Sequence, residues 1–131
     1  VLVDLTGVEL KTALEEGVDY LMKRYPGLDP PPMPYVGGMR FSASLSKPSG
    51  SRVSNLELRQ GETYQVVEDN EVYRIVVNVF VAGGGDGFKA IKDAPGFRND
   101  TGIIDSDAFR EYLKALEAVA NPTEKRISIV P

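Results

Sequence analysis

The sequence predicts an α+β fold, in which a mixed, largely antiparallel sheet carries two long helices. Three observations lead there. Residues 8–21 repeat apolar side chains at helical spacing, residues 39–46 alternate apolar and polar with a period of two, and residues 109–119 return to helical spacing. With 131 residues, 42% of them hydrophobic and 26% charged, the chain has the makeup of one globular domain, 1–131, built on a single core.

Val1 to Leu5 is a short apolar run that reads as a strand feeding directly into the first helix. The junction Thr6-Gly7-Val8-Glu9 is a Thr-x-x-Glu capping pattern, in which hydroxyl and carboxylate each satisfy a backbone donor left free at a helix start. Leu10, Ala13, Leu14, Gly17, Val18 and Leu21 then share one face, and Gly17 within it is expected to be a close-packing point. Pro26-Gly27 ends the helix. The acids Glu9, Glu15, Glu16 and Asp19 are expected to form its solvated side.

Asp29 to Pro34 is proline-rich and reads as a stiff, irregular connector. After it, Met39, Phe41, Ala43 and Leu45 alternate with Arg40, Ser42, Ser44 and Ser46, which marks a strand with one wet face. Lys47 to Ser51 is a turn. Arg52 to Leu58 returns as the antiparallel partner, kinked near Asn55. A short strand is expected at Tyr64 to Val67. Val72 to Val81 is apolar with little alternation, as for a strand buried on both faces, although Arg74 and Asn78 interrupt it. Gly87 to Lys92 has room for one helical turn, and Asp93 to Gly102 reads as loop. Asp105 or Ser106 caps the second helix, whose Phe109, Tyr112, Leu113, Leu116 and Val119 share a face, and Asn121-Pro122 stops it. Arg126 to Val130 is a final strand.

Composition removes whole classes of function. There is no cysteine and no histidine, so thiolate nucleophiles, Cys-type zinc sites, Ser-His-Asp chemistry and His-based acid–base catalysis are excluded. A net charge of −4 argues against a nucleic-acid backbone as partner. No apolar run approaches the roughly 20 residues of a membrane span. The acids show no Asp-x-Asp-x-Asp-Gly calcium loop, although a carboxylate-only site near Asp86, Asp93 and Asp100 passes these filters. Val1 already lies inside an apolar stretch, so the chain is expected to be cut from something longer. No catalytic residue and no metal ligand is expected within it.

What remains is the run Asn78 to Phe88, where three consecutive glycines, Gly83, Gly84 and Gly85, are followed by Asp86, Gly87 and Phe88. It lacks the Lys-Ser/Thr of a phosphate loop and the Gly-x-Gly-x-x-Gly spacing of a dinucleotide turn, and an acid in its middle repels phosphate. Asp86 suits sugar hydroxyls as an acceptor, and Phe80 or Phe88 offers a ring face to a base. The alternatives are a tight turn in which Asp86 bonds its own backbone, a Phe80 that is simple core, and an Asn78 that bonds neighbouring backbone. Tyr35 beside Gly37-Gly38 is a second candidate, equally read as a turn entering the next strand.

Three patches resemble the C-terminal domain of the 5'-nucleotidase family. They are Val3-Asp4-Leu5-Thr6-Gly7-Val8-Glu9-Leu10 with Leu14; Asn78-x-Phe80-x-Ala82-x-Gly84-Gly85-Asp86-Gly87-Phe88; and Asp100-Thr101-Gly102 with Asp105 and the helix to Leu113. The hairpin, with Gly37-Gly38 and Gly50-x-Arg52-Val53, also falls where that family has one. The resemblance covers nearly the whole chain and implies that family's fold. It implies a domain that holds the nucleoside or nucleotide, while an N-terminal metallophosphoesterase domain with a divalent metal pair hydrolyses the phosphate ester.

In such a domain the position of Phe80 stacks on the base and that of Asp86 binds ribose hydroxyls. Gly84, Gly85 and Gly87 let the ligand approach beside Asn78, and Met33 or Tyr35 closes the other side. The family's second stacking aromatic is replaced here by Met33, a departure that bears on the base sandwich and on purine preference. The family's N-terminal segment rich in Asn, Gly and Arg is absent. The chain alone is therefore expected to lack phosphatase activity. The resemblance also implies a secreted, periplasmic or cell-surface parent. The competing expectation is a non-catalytic structural or interaction domain that kept the fold and lost the ligand.

Overall fold

β1 (Leu2–Thr6) runs without a break into α1 (Gly7–Arg24), and the capping box at the junction closes. The Glu9 amide donates to Thr6 Oγ1 at 3.3 Å, and the Thr6 amide donates to Glu9 Oε2 at 2.8 Å. The remaining elements follow as β2 (Met39–Ser44), β3 (Val53–Gln60), β4 (Thr63–Val66), β5 (Val72–Val76), α2 (Val79–Ala82), α3 (Lys89–Asp93), β6 (Arg98–Asn99), α4 (Asp105–Leu116) and β7 (Ile127–Val130). One 3-10 turn, Gly85–Gly87, lies between α2 and α3. The computed structural model describes residues 1–116, 118–121 and 123–130. The stop signal read at Asn121-Pro122 therefore falls partly outside the described residues.

The α+β class holds, with the strands divided between two sheets. One has the order β5-β1-β6 and is antiparallel throughout. The other has the order β4-β3-β2-β7, in which β7 lies parallel to β2 and the other pairings are antiparallel. The hairpin kink sits where it was expected. Asn55 adopts a left-handed φ of 50°, and the β2–β3 register slips between Arg40 and Ser42.

The core lies where α1 meets β1, β3 and α3. Val3 and Leu5 alternate inward from β1 and are fully buried, joined by Leu10, Leu14 and Val18 from α1 and by Phe41, Ala43 and Val53 from the hairpin. Gly17 is a close-packing point. A Cβ there would stand 2.6 Å from Phe88 Cζ and 2.9 Å from Pro34 Cγ.

The structure corrects four expectations. The strand over Val72 to Val81 ends at Val76, and its burial alternates, with Val72 and Val76 exposed rather than covered on both faces. The loop Asp93 to Gly102 contains β6, which pairs Arg98 with Val3 and Asn99 with Leu2. Two residues are too short a strand for any periodicity to register. Of the two long helices only α1 supplies buried residues to the core; none of the described residues of α4 is buried. Finally, the acids of α1 are not a solvated side. Glu15 is buried and its Oε1 accepts from the Val53 amide at 2.6 Å, Glu16 Oε2 accepts from the Ala90 amide at 2.8 Å, and Asp19 pairs with Arg52 and Ser49. Each acid answers a donor brought to the helix by a distant segment, and no local pattern announces such a donor.

Candidate functional site

The glycine-rich run is a chain of short turns. After β5, Asn78 takes extended backbone angles and its Oδ1 accepts from the Val81 amide at 2.9 Å, capping α2. This is the neighbouring-backbone role weighed from the sequence. The single turn of α2 sends Ala82 inward, 5% exposed, and Phe80 outward, 58% exposed. Phe80 is thus neither core nor part of a strand.

Beyond α2 the backbone reverses through left-handed angles at Gly84 (φ 89°), Asp86 (φ 53°) and Gly87 (φ 85°). Glycine reaches this region freely, whereas Asp is one of the few other residues that tolerates it. Gly85 serves differently. A Cβ there would collide with the Phe80 ring, so the ring lies directly against the Gly85 backbone. Phe80 and Asp86 are thereby brought to one loop, the ring on its outer side.

Asp86 meets α1. Tyr20 lies under Gly87, within van der Waals reach of where its Cβ would stand, and the polar interaction and negative charge of the nearby Asp86 carboxylate push the Tyr20 phenol above its ordinary value. The second aromatic of the loop, Phe88, turns inward against Gly17 and joins the core. Arg98 ties down the other side of the loop. Its guanidinium donates to the carbonyls of Ala82 at 3.0 Å and Lys92 at 3.2 Å, and also to that of Ile91. It therefore answers the free carbonyls at the ends of both α2 and α3.

A cleft of about 830 Å³ opens beside this loop, lined by residues of α1, the proline-rich connector, the end of β5 and the glycine loop. The volume is in the range of small-molecule sites. Asp86, Asn78, Tyr35 and Met33 line it; Phe80 is not among its lining residues. Tyr35 is 95% exposed, whereas Met33 is 8% exposed and packs in the core. Two arginines, Arg59 and Arg74, also reach the cleft. Arg74 is engaged elsewhere, bonding both oxygens of Asp4 at 2.7 and 2.9 Å and lying over the Phe97 ring at 4.7 Å. Its guanidinium holds the Asp4 carboxyl below the ordinary carboxylate range.

The structure brings Asn78, Phe80, Gly84, Gly85, Asp86 and Gly87 onto one short segment after β5, and Tyr35 and Met33, from the segment before β2, line the same cleft as Asn78 and Asp86. Sequence reasoning missed Glu16, Tyr20 and Arg98. Glu16 and Tyr20 stand four residues apart on α1, a spacing that puts them on one face, but nothing local tells what the face meets. For Arg98 there was no signal. Among the described residues no group of three or more Asp, Glu, His or Cys side chains is placed to hold a metal ion, so Asp86, Asp93 and Asp100 do not converge. No described helix is long and apolar enough to cross a membrane.

A family model for the C-terminal domain of 5'-nucleotidase matches residues 1–93. The human 5'-nucleotidase is 33% identical over 130 residues, 96% of this chain and 22% of that protein. The 5'-nucleotidase of Diplobatis ommata is 32% identical over 123 residues, 91% of this chain and 21% of that protein. The crystal structure of a 5'-nucleotidase precursor from Thermus thermophilus superposes with a TM-score of 0.85 at 39% identity, over 98% of this chain and 24% of that one. The NAD nucleotidase of Haemophilus influenzae, at 22% identity and a TM-score of 0.83, shares the fold. The chain spans about a fifth to a quarter of the length of these relatives. This chain belongs to the 5'-nucleotidase C-terminal domain family.

Proposed function

We propose that this domain recognises the nucleoside part of a nucleotide or related phosphoester, with Asp86 accepting hydrogen bonds from ribose hydroxyls and Phe80 stacking on the base. Gly84 and Gly87 supply the left-handed turns on either side of Asp86, Gly85 seats the Phe80 ring rather than opening space for a ligand, and Tyr35 lines the same cleft as Asp86. The observation that carries this reading is the exposed Phe80 ring, seated on Gly85 one residue from Asp86. A large aromatic held open to solvent beside a carboxylate offers a flat apolar face and a hydroxyl acceptor together. The relatives support the same reading, being named 5'-nucleotidases and, in Bacillus subtilis, a trifunctional nucleotide phosphoesterase.

Hydrolysis of the ester belongs in this reading to a separate N-terminal metallophosphoesterase domain of a secreted, periplasmic or cell-surface parent. A divalent metal pair does not fit the present residues, which include no histidine or cysteine and, where described, no cluster of acids. The role of this chain is to bind and orient. Pure chain should hydrolyse no nucleotide in the presence of divalent metal, and metal-dependent release of phosphate would overturn that assignment.

The test is an amide NMR titration of the 131-residue chain with adenosine and AMP, against uridine, repeated with Phe80→Ala. Base stacking is worth about 1–3 kcal/mol. The variant should therefore bind roughly 5- to 150-fold more weakly. Its melting point should move little, since Phe80 is largely exposed. Normal binding with a much lower melting point would make Phe80 a packing residue and remove the reading.

One observation favours a second reading, a structural or interaction domain without ligand. Met33 packs in the core, so it offers no exposed face opposite Phe80. Absence of shifts with every nucleoside at several millimolar is the result that reading expects.

A further inference from the structure

We propose that Arg98 is the positioning residue of the nucleoside site. By bridging the carbonyl ends of α2 and α3 it fixes Phe80 and Asp86 relative to each other, so that base and ribose are met together. This role rests on the nucleoside reading above and goes beyond it by assigning a residue outside the glycine loop that holds the loop in its binding shape.

The loop has two joints to control. α2 carries Phe80, the 3-10 turn carries Asp86, and Gly84 (φ 89°) and Gly87 (φ 85°) stand on either side of that acid. Glycine at such positions gives the backbone freedom rather than stiffness. Asn78 Oδ1 accepts from the Val81 amide at 2.9 Å, and the Gly83 amide donates to the Val79 carbonyl at 3.0 Å. These bonds are local; they hold α2 together but move with it. Arg98 supplies an outside reference. Its Nη1 donates to the Ala82 carbonyl at 3.0 Å, and its Nη2 donates to the carbonyls of Ile91 and of Lys92, the latter at 3.2 Å. The guanidinium is a planar fork of fixed geometry, so the two helix ends it joins are set at one separation and one angle. The connection between them, Gly83 to Phe88, then has both its ends held.

Arg98 is itself fixed to a deeply buried strand. Its backbone pairs with that of Val3, which is fully buried, and the neighbouring Phe97 carbonyl accepts from the Asp4 amide at 2.8 Å. Gly96 lies against the same strand, where a Cβ would collide with the Asp4 carbonyl. β1 runs on into α1, and α1 holds the far end of the loop. Glu16 Oε2 accepts from the Ala90 amide at 2.8 Å, and Phe88 seats against Gly17. The loop is therefore referred to one unit, β1 with α1, from both sides. The ties from α1 reach Phe88 and α3, beyond Asp86. Of these ties Arg98 is the one that also reaches α2, and so the one that relates Phe80 to Asp86.

The experiment compares adenosine binding by the full 131-residue chain in wild type, Arg98→Lys and Arg98→Met, each with a thermal melt and amide hydrogen exchange. Methionine keeps an apolar stem and removes every donor, whereas lysine keeps the charge but cannot span two helix ends with a rigid fork. Arg98→Met should weaken adenosine about 10-fold, as for a loop that keeps its competent shape about a tenth of the time. Arg98→Lys should recover only part of that loss. In the Met variant exchange should quicken over Gly83 to Phe88 and stay slow in β1 and α1, and the nuclear Overhauser contact between the Phe80 ring and Gly85 should weaken. Weaker binding with faster exchange throughout β1 and α1 and a much lower melting point would make Arg98 a support of the fold and overturn the proposal. Full recovery by lysine, which leaves only charge at work, overturns it too. So does unchanged affinity in Arg98→Met, and both results leave the nucleoside reading intact. Should Arg98→Met fail to fold, Arg98→Lys decides alone: weaker adenosine at an unshifted melting point supports the proposal, and wild-type affinity overturns it. Failure of wild type to bind adenosine removes the nucleoside reading and this role together.

Discussion

The two long helices make the same promise in sequence and meet opposite fates in the fold. α1 and α4 each carry an apolar stripe at helical spacing. The stripe of α1 disappears into the core, with Leu10, Ala13, Leu14 and Val18 all at or below 5% exposure, while Phe109 and Tyr112 of α4 stay about 60% exposed. α1 is covered because β1 delivers it at its N-terminus, the hairpin donates to its acids, and the glycine loop lies on Glu16, Gly17 and Tyr20. α4 keeps its ion pairs local, Lys114 with Glu111 at 2.9 Å and Arg110 with Asp107 at 3.1 Å. Such pairs contribute only a few tenths of a kcal/mol each. Amphipathic spacing therefore states which face of a helix is available for burial. Whether anything covers that face is decided by partners elsewhere in the chain.

Substitutions graded across the two helices test this difference. Leu14→Ala removes a side chain buried among β1, the hairpin and α1, and is expected to cost about 2–5 kcal/mol, read from a denaturant midpoint. A cost below about 1 kcal/mol would mean that the α1 stripe is loosely packed and closer in character to α4. Gly17→Ala ranks next, and two effects oppose each other. Alanine favours the helix by about 1 kcal/mol. Overpacking against the Phe88 ring costs about 1–3 kcal/mol. Because a Cβ at 2.6 Å from that ring cannot be accommodated without movement, the overpacking term should win. The net loss should come with amide shifts across Gly84 to Ala90, and shifts confined to α1 would detach the loop from the helix. Phe109→Ser on α4 is expected to change stability by less than about 0.5 kcal/mol. A larger loss would show that the α4 stripe contributes to the core after all.

The candidate site divides along the same line. The sharp turn among the glycines and the close approach at Gly17 were legible, because glycine runs mark turns and a glycine on an apolar helix face marks a contact. The Thr6–Glu9 box and the kink at Asn55 were legible too, each being a property of a residue and its immediate neighbours. The end of the strand at Val76 was not. Val76-Val77-Asn78-Val79-Phe80-Val81 keeps an apolar character through the change from strand to helix, and only the capping of Val81 by Asn78 reveals the break. The acids of α1 misled in the opposite direction, since polar residues on a helix face look solvated until their donors are known. Arg98, which ties α2 to α3, sits 16 residues from Ala82 with no motif to connect them.

By itself the sequence determined the identity of the chemistry on offer: an aromatic, a carboxylate and turn-forming glycines within a few residues, with no histidine or cysteine to supply a nucleophile or a zinc site. Those are facts of residue type and short-range backbone preference, and they survive any arrangement of the rest. The tertiary structure alone decided that Phe80 faces outward, that Phe88 faces inward, and that Tyr20 of α1 lies under Gly87, next to Asp86 in the turn. Each of these depends on which surface a distant segment occupies. Burial and hydrogen-bond satisfaction are settled over the whole molecule, and only then does a list of residues become a site.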